Sequence, residues 1–166
     1  FNINGGAFSV SFWYQKNDAQ DLTILKLFGG GTGNAFEVKM LSSGGADVYL
    51  YDGTVDHTLN YRRYQETAAP ISNNTWYHIA ISVTASGDIT LWRDKQEETN
   101  PTISDTGTFN QIIDSNKLLT VGDYLGASGK GAVKLDEVNF WLGRELIQED
   151  VNRLYASATR AYPFGF

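Results

Sequence analysis

The chain has 166 residues, 42% hydrophobic and 19% charged, which suits one domain with a packed core and excludes a disordered chain. A formal net charge of -6 excludes the positive field that recruits nucleic acid or an anionic membrane surface. No cysteine is present, which excludes thiol nucleophiles, thiolate metal sites and disulfides, and no stretch approaches the ~18 apolar residues of a membrane span.

Residues 7–14 (AFSVSFWY) alternate, with Phe8, Val10, Phe12 and Tyr14 on one side and Ala7, Ser9, Ser11 and Trp13 on the other. A period of two with one oily side is what a half-buried antiparallel strand requires. Residues 15–21 form a polar loop, and 22–28, mostly apolar, read as a more central strand. The glycine run 29–33 invites a phosphate-loop reading, but no Gly-Lys-Ser/Thr follows and the next segment alternates, so it reads as a hairpin connection. Residues 35–41 alternate with Phe36, Val38 and Met40 together. A turn at 42–45 leads to a strand at 47–51 (DVYLY), Asp52-Gly53 turns again, and 55–64 read as a solvated strand.

Residues 74–95 (NTWYHIAISVTASGDITLWRDK) carry the clearest signal. Tyr77, Ile79, Ile81 and Val83 share one face, Trp76, His78, Ala80 and Ser82 the other, and residues 84–88 supply turn chemistry before 89–93 alternate again. Residues 97–116 are the least patterned, with one short strand expected around 108–113. A brief strand at 118–121, a glycine-rich loop at 122–131 and a strand at 133–142 follow. Leu135 and Val138 are three apart whereas Val138, Phe140 and Leu142 alternate, so a bulge is expected near Asp136-Glu137. Only 148–156 has helical spacing, with Val151, Leu154 and Tyr155 at i, i+3 and i+4. Such a short helix must dock on a sheet. Many short strands and one late helix predict an all-β, two-sheet antiparallel sandwich occupying the whole chain as a single domain. The opening at Phe1, with no Met, points to a domain excised from a larger protein.

Three blocks, FSVSFWYQK (8–16), NTWYHIAISVTASGDITLWRDK (74–95) and LTVGDYLGASGKGAVKLDEVNFWLGRELIQEDVNRLY (119–155), resemble the laminin-G-like, pentraxin-like branch of the concanavalin A-like lectin/glucanase superfamily. The blocks occur in the family's order across nearly the whole chain. The resemblance implies a jelly-roll sandwich with one short C-terminal helix. Two departures stand out. The family's Tyr-x-Asp-Gly is Trp92-Arg93-Asp94-Lys95 here, so that turn is expected to differ. The usual first strand is short or missing, its place to be filled by residues 1–3 or by the aromatic tail 161–166 (AYPFGF).

The glycosidase pattern of paired carboxylates, Glu-x-Asp-x-x-Glu, is absent, and the adjacent Asp136 and Glu137 point to opposite faces unless the bulge intervenes. His57 and His78 have no metal or triad spacing. Residues 105–109 resemble the sialidase Asp-box but are one residue short and read as a turn. Asn73-Asn74-Thr75 is a glycosylation sequon, meaningful only in a eukaryotic secretory chain. No catalytic residue is therefore assigned. Calcium is the one cofactor the resemblance allows, through Asp18, Asp21, Asp47, Asp52, Asp123 and Asp136, although no DxDxDG run exists. For sugar stacking, the rings least tied to the core are Trp92, Tyr124, Tyr61, Tyr64 and Tyr51, with Arg62 and Arg63 as forks for an acidic sugar. The resemblance thus implies a non-catalytic carbohydrate-binding or adhesion module of an extracellular, cell-surface or phage-fibre protein, localised outside the cell or on a virion. Its partner would be a glycan or cell-surface polysaccharide, or other domains of the parent protein, with no nucleic acid and no membrane insertion. The competing readings are an assembly domain and, less favoured, a polysaccharide lyase or hydrolase.

Overall fold

The computed structural model describes residues 3, 5–16, 21–28, 34–51, 61–67, 71–106, 118–122 and 133–161. Eleven strands and one helix are seen among them. One sheet has five strands in the order β11 (Val133–Leu142), β1 (Phe8–Lys16), β6 (Trp76–Val83), β7 (Ile89–Arg93) and β8 (Gln96–Glu97). The other has six, in the order β10 (Leu118–Val121), β2 (Leu22–Phe28), β3 (Asn34–Met40), β4 (Ala46–Tyr51), β5 (Tyr61–Gln65) and β9 (Thr102–Thr106). Every pairing is antiparallel. This is the sandwich that the alternating pattern predicts.

The core lies between the sheets and is built from the oily side of each alternation. Phe8, Val10, Phe12 and Tyr14 of β1 meet Phe36, Val38 and Met40 of β3, Val48 and Leu50 of β4, and Ile79, Ile81 and Val83 of β6. Phe8 packs edge-on against Phe36, with ring centroids 5.1 Å apart, and stacks with Phe140 at 5.8 Å. At one end the interior turns polar, where Arg93 of β7 reaches across to Glu66 beyond β5 and to the carbonyl of Gly44. Gly45 in that turn has no room for a side chain, because a Cβ there would lie 2.7 Å from the backbone oxygen of Glu66.

The predicted bulge is present. The β1–β11 register slips between Ser11 and Trp13, opposite Asn139 and Asp136, and Glu137 takes a positive φ of 47°. Two expectations need correction, on a turn and on the length of the helix, and one strand is additional. The β7–β8 turn does not differ from an Asp-Gly hairpin: Asp94 (φ 47°) and Lys95 (φ 66°) both adopt the left-handed conformation of a two-residue primed turn, with Lys95 where glycine is usual. After β8 a strand at Thr102–Thr106, not expected from the sequence, pairs with the open edge of β5. Its residues are mostly exposed, so it lacks the one-sided oily pattern. The segment 108–113 lies outside the described residues. The helix α1 (Gln148–Ala161) is longer than its apolar spacing suggests. Ile3 is buried in the core, and the tail 162–166 lies outside the described residues.

Helix α1 covers the outer face of the five-stranded sheet. Val151 is fully buried with Ala80, Trp92 and Leu146, while Leu154 and Trp141 pack against that cluster and Gln148, Glu149, Asn152 and Arg153 face water. The segment entering the helix is pinned to the sheet by polar contacts. The Leu146 N–H donates to Ser9 Oγ and Ser82 Oγ, and Ser9 Oγ also donates to the Arg144 carbonyl at 2.8 Å.

Candidate functional site

The six-stranded sheet turns its polar side away from the core, and alternation alone decides what stands there. In β4 the core takes Val48 and Leu50, so Asp47, Tyr49 and Tyr51 point outward. In β5, Tyr61 pairs with Tyr51 and Arg63 with Tyr49, which adds both to the same face, and Glu37 and Lys39 join from β3. Tyr49 and Tyr51 stack at 5.9 Å with their planes 8° apart, and Tyr61 lies 5.8 Å from the first and 6.2 Å from the second.

Charges lock this tyrosine cluster in place. Arg63 donates two parallel bonds of 2.8 Å to Asp47, the fork geometry that guanidinium and carboxylate share. Glu37, nearly buried, lies 3.7 Å from Lys26 and 3.6 Å from Lys39 and accepts from the Tyr51 hydroxyl. Lys39 and Arg63 both sit over the Tyr49 ring, at 4.9 and 5.3 Å. Burial pushes the Tyr49 phenol up to about 12, with the Asp47 carboxylate adding to the rise. The face is therefore aromatic and tightly packed, and the Tyr49 phenol keeps its proton near neutral pH.

The structure separates the residues singled out from sequence. Tyr61 and Arg63 belong to the outer face just described. Tyr64, paired with Val48, points the other way and is 3% exposed, so it is a core ring and not a sugar platform. Arg62 lies with it on the inward side, at the rim, bonded to Asp105 of β9 and to Asp88 in the β6–β7 turn. Neither Arg62 nor Arg63 offers an open fork to an acidic sugar, because aspartates of the chain already occupy them. Trp92 is 3% exposed. It does stand on the outer face of its sheet, but helix α1 covers that face, and its indole N–H donates to Gln148 Oε1 at 2.9 Å. Tyr124 and His57 lie outside the described residues. Tyr49, which the sequence reading passed over, was legible in DVYLY, where strict alternation groups it with Asp47 and Tyr51.

His78 is a scaffold residue between Trp13 at 5.2 Å and Tyr155 at 6.0 Å. Burial holds its imidazole down at about 4, and its Nδ1 has no hydrogen-bond partner among the described residues. The folded protein therefore keeps His78 neutral where the unfolded chain, at its ordinary 6.5, takes up a proton. This contribution to stability is complete above that ordinary value and is lost as pH falls towards the folded one. We expect about 3 kcal/mol of acid destabilisation between neutral pH and about pH 4 from this group, read as the difference in slope between the wild type and His78→Gln in denaturant melts. Equal slopes would show that the imidazole is solvated in the fold.

The described aspartates do not assemble a calcium site. Asp47 is held by Arg63, Asp21 accepts from the Ser42 N–H at 2.5 Å, and Asp136 accepts from the Glu137 N–H. Among the described residues no group of three or more His, Cys, Asp and Glu could hold a metal ion. Asp18, Asp52 and Asp123 lie outside them.

Two stacked antiparallel sheets, one carrying a C-terminal helix on its outer face, now meet a direct comparison: the family model for the concanavalin A-like lectin/glucanases superfamily, in its laminin-G form, matches residues 1–152. The chain belongs to this superfamily. Among solved structures, the superfamily fold recurs in the receptor binding domain of botulinum neurotoxin D, with a TM-score of 0.67 and 15% identity over 92% of this chain and 37% of that one. The binding domain of botulinum neurotoxin serotype G gives 0.68 and 16%, over 95% and 37%. That of Paraclostridial Mosquitocidal Protein 1 gives 0.69 and 16%, over 95% and 38%. This chain thus spans a little over a third of the length of each, and at these identities the likeness is one of fold. No curated protein matches the sequence.

Proposed function

We propose that this concanavalin A-like domain is a non-catalytic glycan-binding module of an extracellular, cell-surface or virion-surface protein. The observation that carries the reading is the outward pair of half-buried rings Tyr49 and Tyr61, backed by the buried Tyr51 and held in place by the Asp47–Arg63 pair. Flat rings fixed before binding lose little freedom when a sugar stacks on them, and phenol hydroxyls at their edges can exchange bonds with sugar hydroxyls. Because Arg63 is already paired with Asp47, the face favours a neutral glycan over an acidic one. The solved structures of like fold support a binding role, since they are a receptor binding domain and two binding domains. Tyr124 is retained as a second proposed ring.

A glycan array followed by calorimetry tests this. We expect recognition in the micromolar-to-millimolar range, roughly 4–8 kcal/mol of binding free energy, with the glycan recovered intact after prolonged incubation. Combined Tyr49→Ala and Tyr61→Ala should weaken the affinity strongly while the fold persists by circular dichroism. A blank array would favour the assembly-domain reading instead, and product formation tracking a carboxylate would make the domain an enzyme.

A further inference from the structure

On the opposite side of the sandwich, the β7–β8 hairpin and helix α1 flank a wide-open surface groove of about 630 Å³. Its walls are Lys95, Glu97 and Thr99 from the hairpin side and Gln148, Asn152 and Tyr155 from the helix. None of these residues was singled out for ligand binding from the sequence.

A chain of hydrogen bonds starting in the core fixes the polarity of the helix wall. The Trp92 indole can only donate, so the Gln148 atom facing it at 2.9 Å is Oε1. Gln148 Nε2 must then face acceptors, and it donates to the Lys95 carbonyl at 2.8 Å and to Asn152 Oδ1 at 3.1 Å. This leaves the Asn152 amide nitrogen as the outward end of the relay. It has no partner among the described residues, and neither do the Glu97 carboxylate and the Thr99 hydroxyl. The Lys95 ammonium sits over the Tyr155 ring, 5.3 Å from its centre, and so closes one end of the groove. Lys95 is held there by a left-handed backbone, φ 66°, that a lysine rarely adopts.

We infer that this groove is a second sugar subsite, taking a neutral pyranose residue. It sets oriented donors from Asn152 and Lys95 against acceptors from Glu97 and Thr99, beside one aromatic ring. A polyhydroxylated ring, each hydroxyl of which both donates and accepts, matches that alternation. A ligand of single charge does not, because Lys95 and Glu97 carry opposite signs. The inference rests on the reading of the domain as a glycan binder but not on the tyrosine face, which lies on the other sheet. A chain with both sites would engage a polysaccharide at two points.

The test is an NMR titration with the methyl pyranosides of glucose, galactose, mannose and N-acetylglucosamine at millimolar concentrations. We expect at least one of them to shift the Trp92 indole N–H and the Gln148 and Asn152 carboxamide signals saturably. Asn152→Asp keeps an oxygen to accept from Gln148 but replaces the outward donor with a second acceptor. It should weaken that response at least tenfold, while the ligand-free Trp92 signal and the melting temperature stay close to wild type. The groove response should survive Tyr49→Ala with Tyr61→Ala. Saturable shifts confined to tyrosines of the other sheet would overturn the groove and leave the sheet-face reading standing. No saturable shift with any of the four sugars, or full binding by Asn152→Asp, would overturn the groove as well.

Discussion

Trp92→Ala is expected to destabilise the domain by about 3–5 kcal/mol, the usual cost of emptying a buried indole site. The side chain is 3% exposed and sits in one cluster with Ala80, Leu146 and Val151. Its removal would leave a void that the flanking strands cannot close, because β7 is fixed through β6 to the centre of the sheet. It would also free Gln148, whose Oε1 accepts from the indole, and so loosen the N-terminal turn of α1. Trp92→Phe keeps most of the volume and loses only the N–H, so its cost should be closer to the ~1 kcal/mol of one hydrogen bond. Denaturant melts of the two variants check this. A loss below 1 kcal/mol for the alanine variant would mean that the helix does not cover the indole.

The same residue shows where the sequence stops being informative. Alternation within 89–93 places Trp92 opposite Leu91, and that much is correct, since Leu91 is in the core and Trp92 on the outer face. The apolar spacing of Val151, Leu154 and Tyr155 correctly demands a sheet to dock on. Nothing in either pattern says that the two faces meet, because periodicity fixes which side of an element is oily but not what covers it. The outer face of β1 and β6 could have raised the question: Ser9, Ser11, Trp13, His78, Ala80 and Ser82 include no Asp, Glu, Lys or Arg, and a solvated face would have been richer in charge.

The tyrosine face shows the complementary case. Asp47, Tyr49 and Tyr51 share a side by alternation alone, so half of the cluster was legible from β4. The other half depended on strand neighbours. That Tyr61 and Arg63 arrive beside them follows from the β4–β5 register, which pairs Tyr51 with Tyr61 and Tyr49 with Arg63. A shift of one residue would have sent Arg62 and Tyr64 there instead. The sequence offered Arg62 and Arg63 as a pair of forks, and the register divides Tyr61 to Tyr64 into two outward and two inward residues. The groove beside α1 was beyond any motif, since its residues come from the β7–β8 hairpin with the segment after it and from a helix about fifty positions away.

The polar end of the core gives a second large effect with a pH signature. Glu66 is 5% exposed, accepts from the Ala46 N–H at 2.9 Å and pairs with Arg93, which also donates to the Gly44 carbonyl. Tyr14 and Tyr77 stand next to this pair at 6.0 Å from each other, and the Arg93 guanidinium lies 5.9 Å from the Tyr77 ring. Removing the cation strands a carboxylate in an apolar interior, so Arg93→Met should cost about 3–5 kcal/mol near neutral pH. Burial already holds the Glu66 carboxyl above its ordinary value against the pull of Arg93 and the Ala46 N–H, and without Arg93 it must rise further. A carboxyl raised in the fold binds its proton more tightly there than in the unfolded chain. The stability of the variant therefore recovers as pH falls through that raised value, and its deficit against the wild type should be smaller at about pH 5 than at about pH 8. Arg93→Met combined with Glu66→Leu should recover part of the loss at neutral pH, but not all of it, because the Ala46 N–H then has no acceptor. Urea melts of the single and double variants at both pH values provide the cycle. A deficit in Arg93→Met that is small and independent of pH would show that Glu66 reaches water without its arginine, and that apolar contacts alone hold this end of the sandwich.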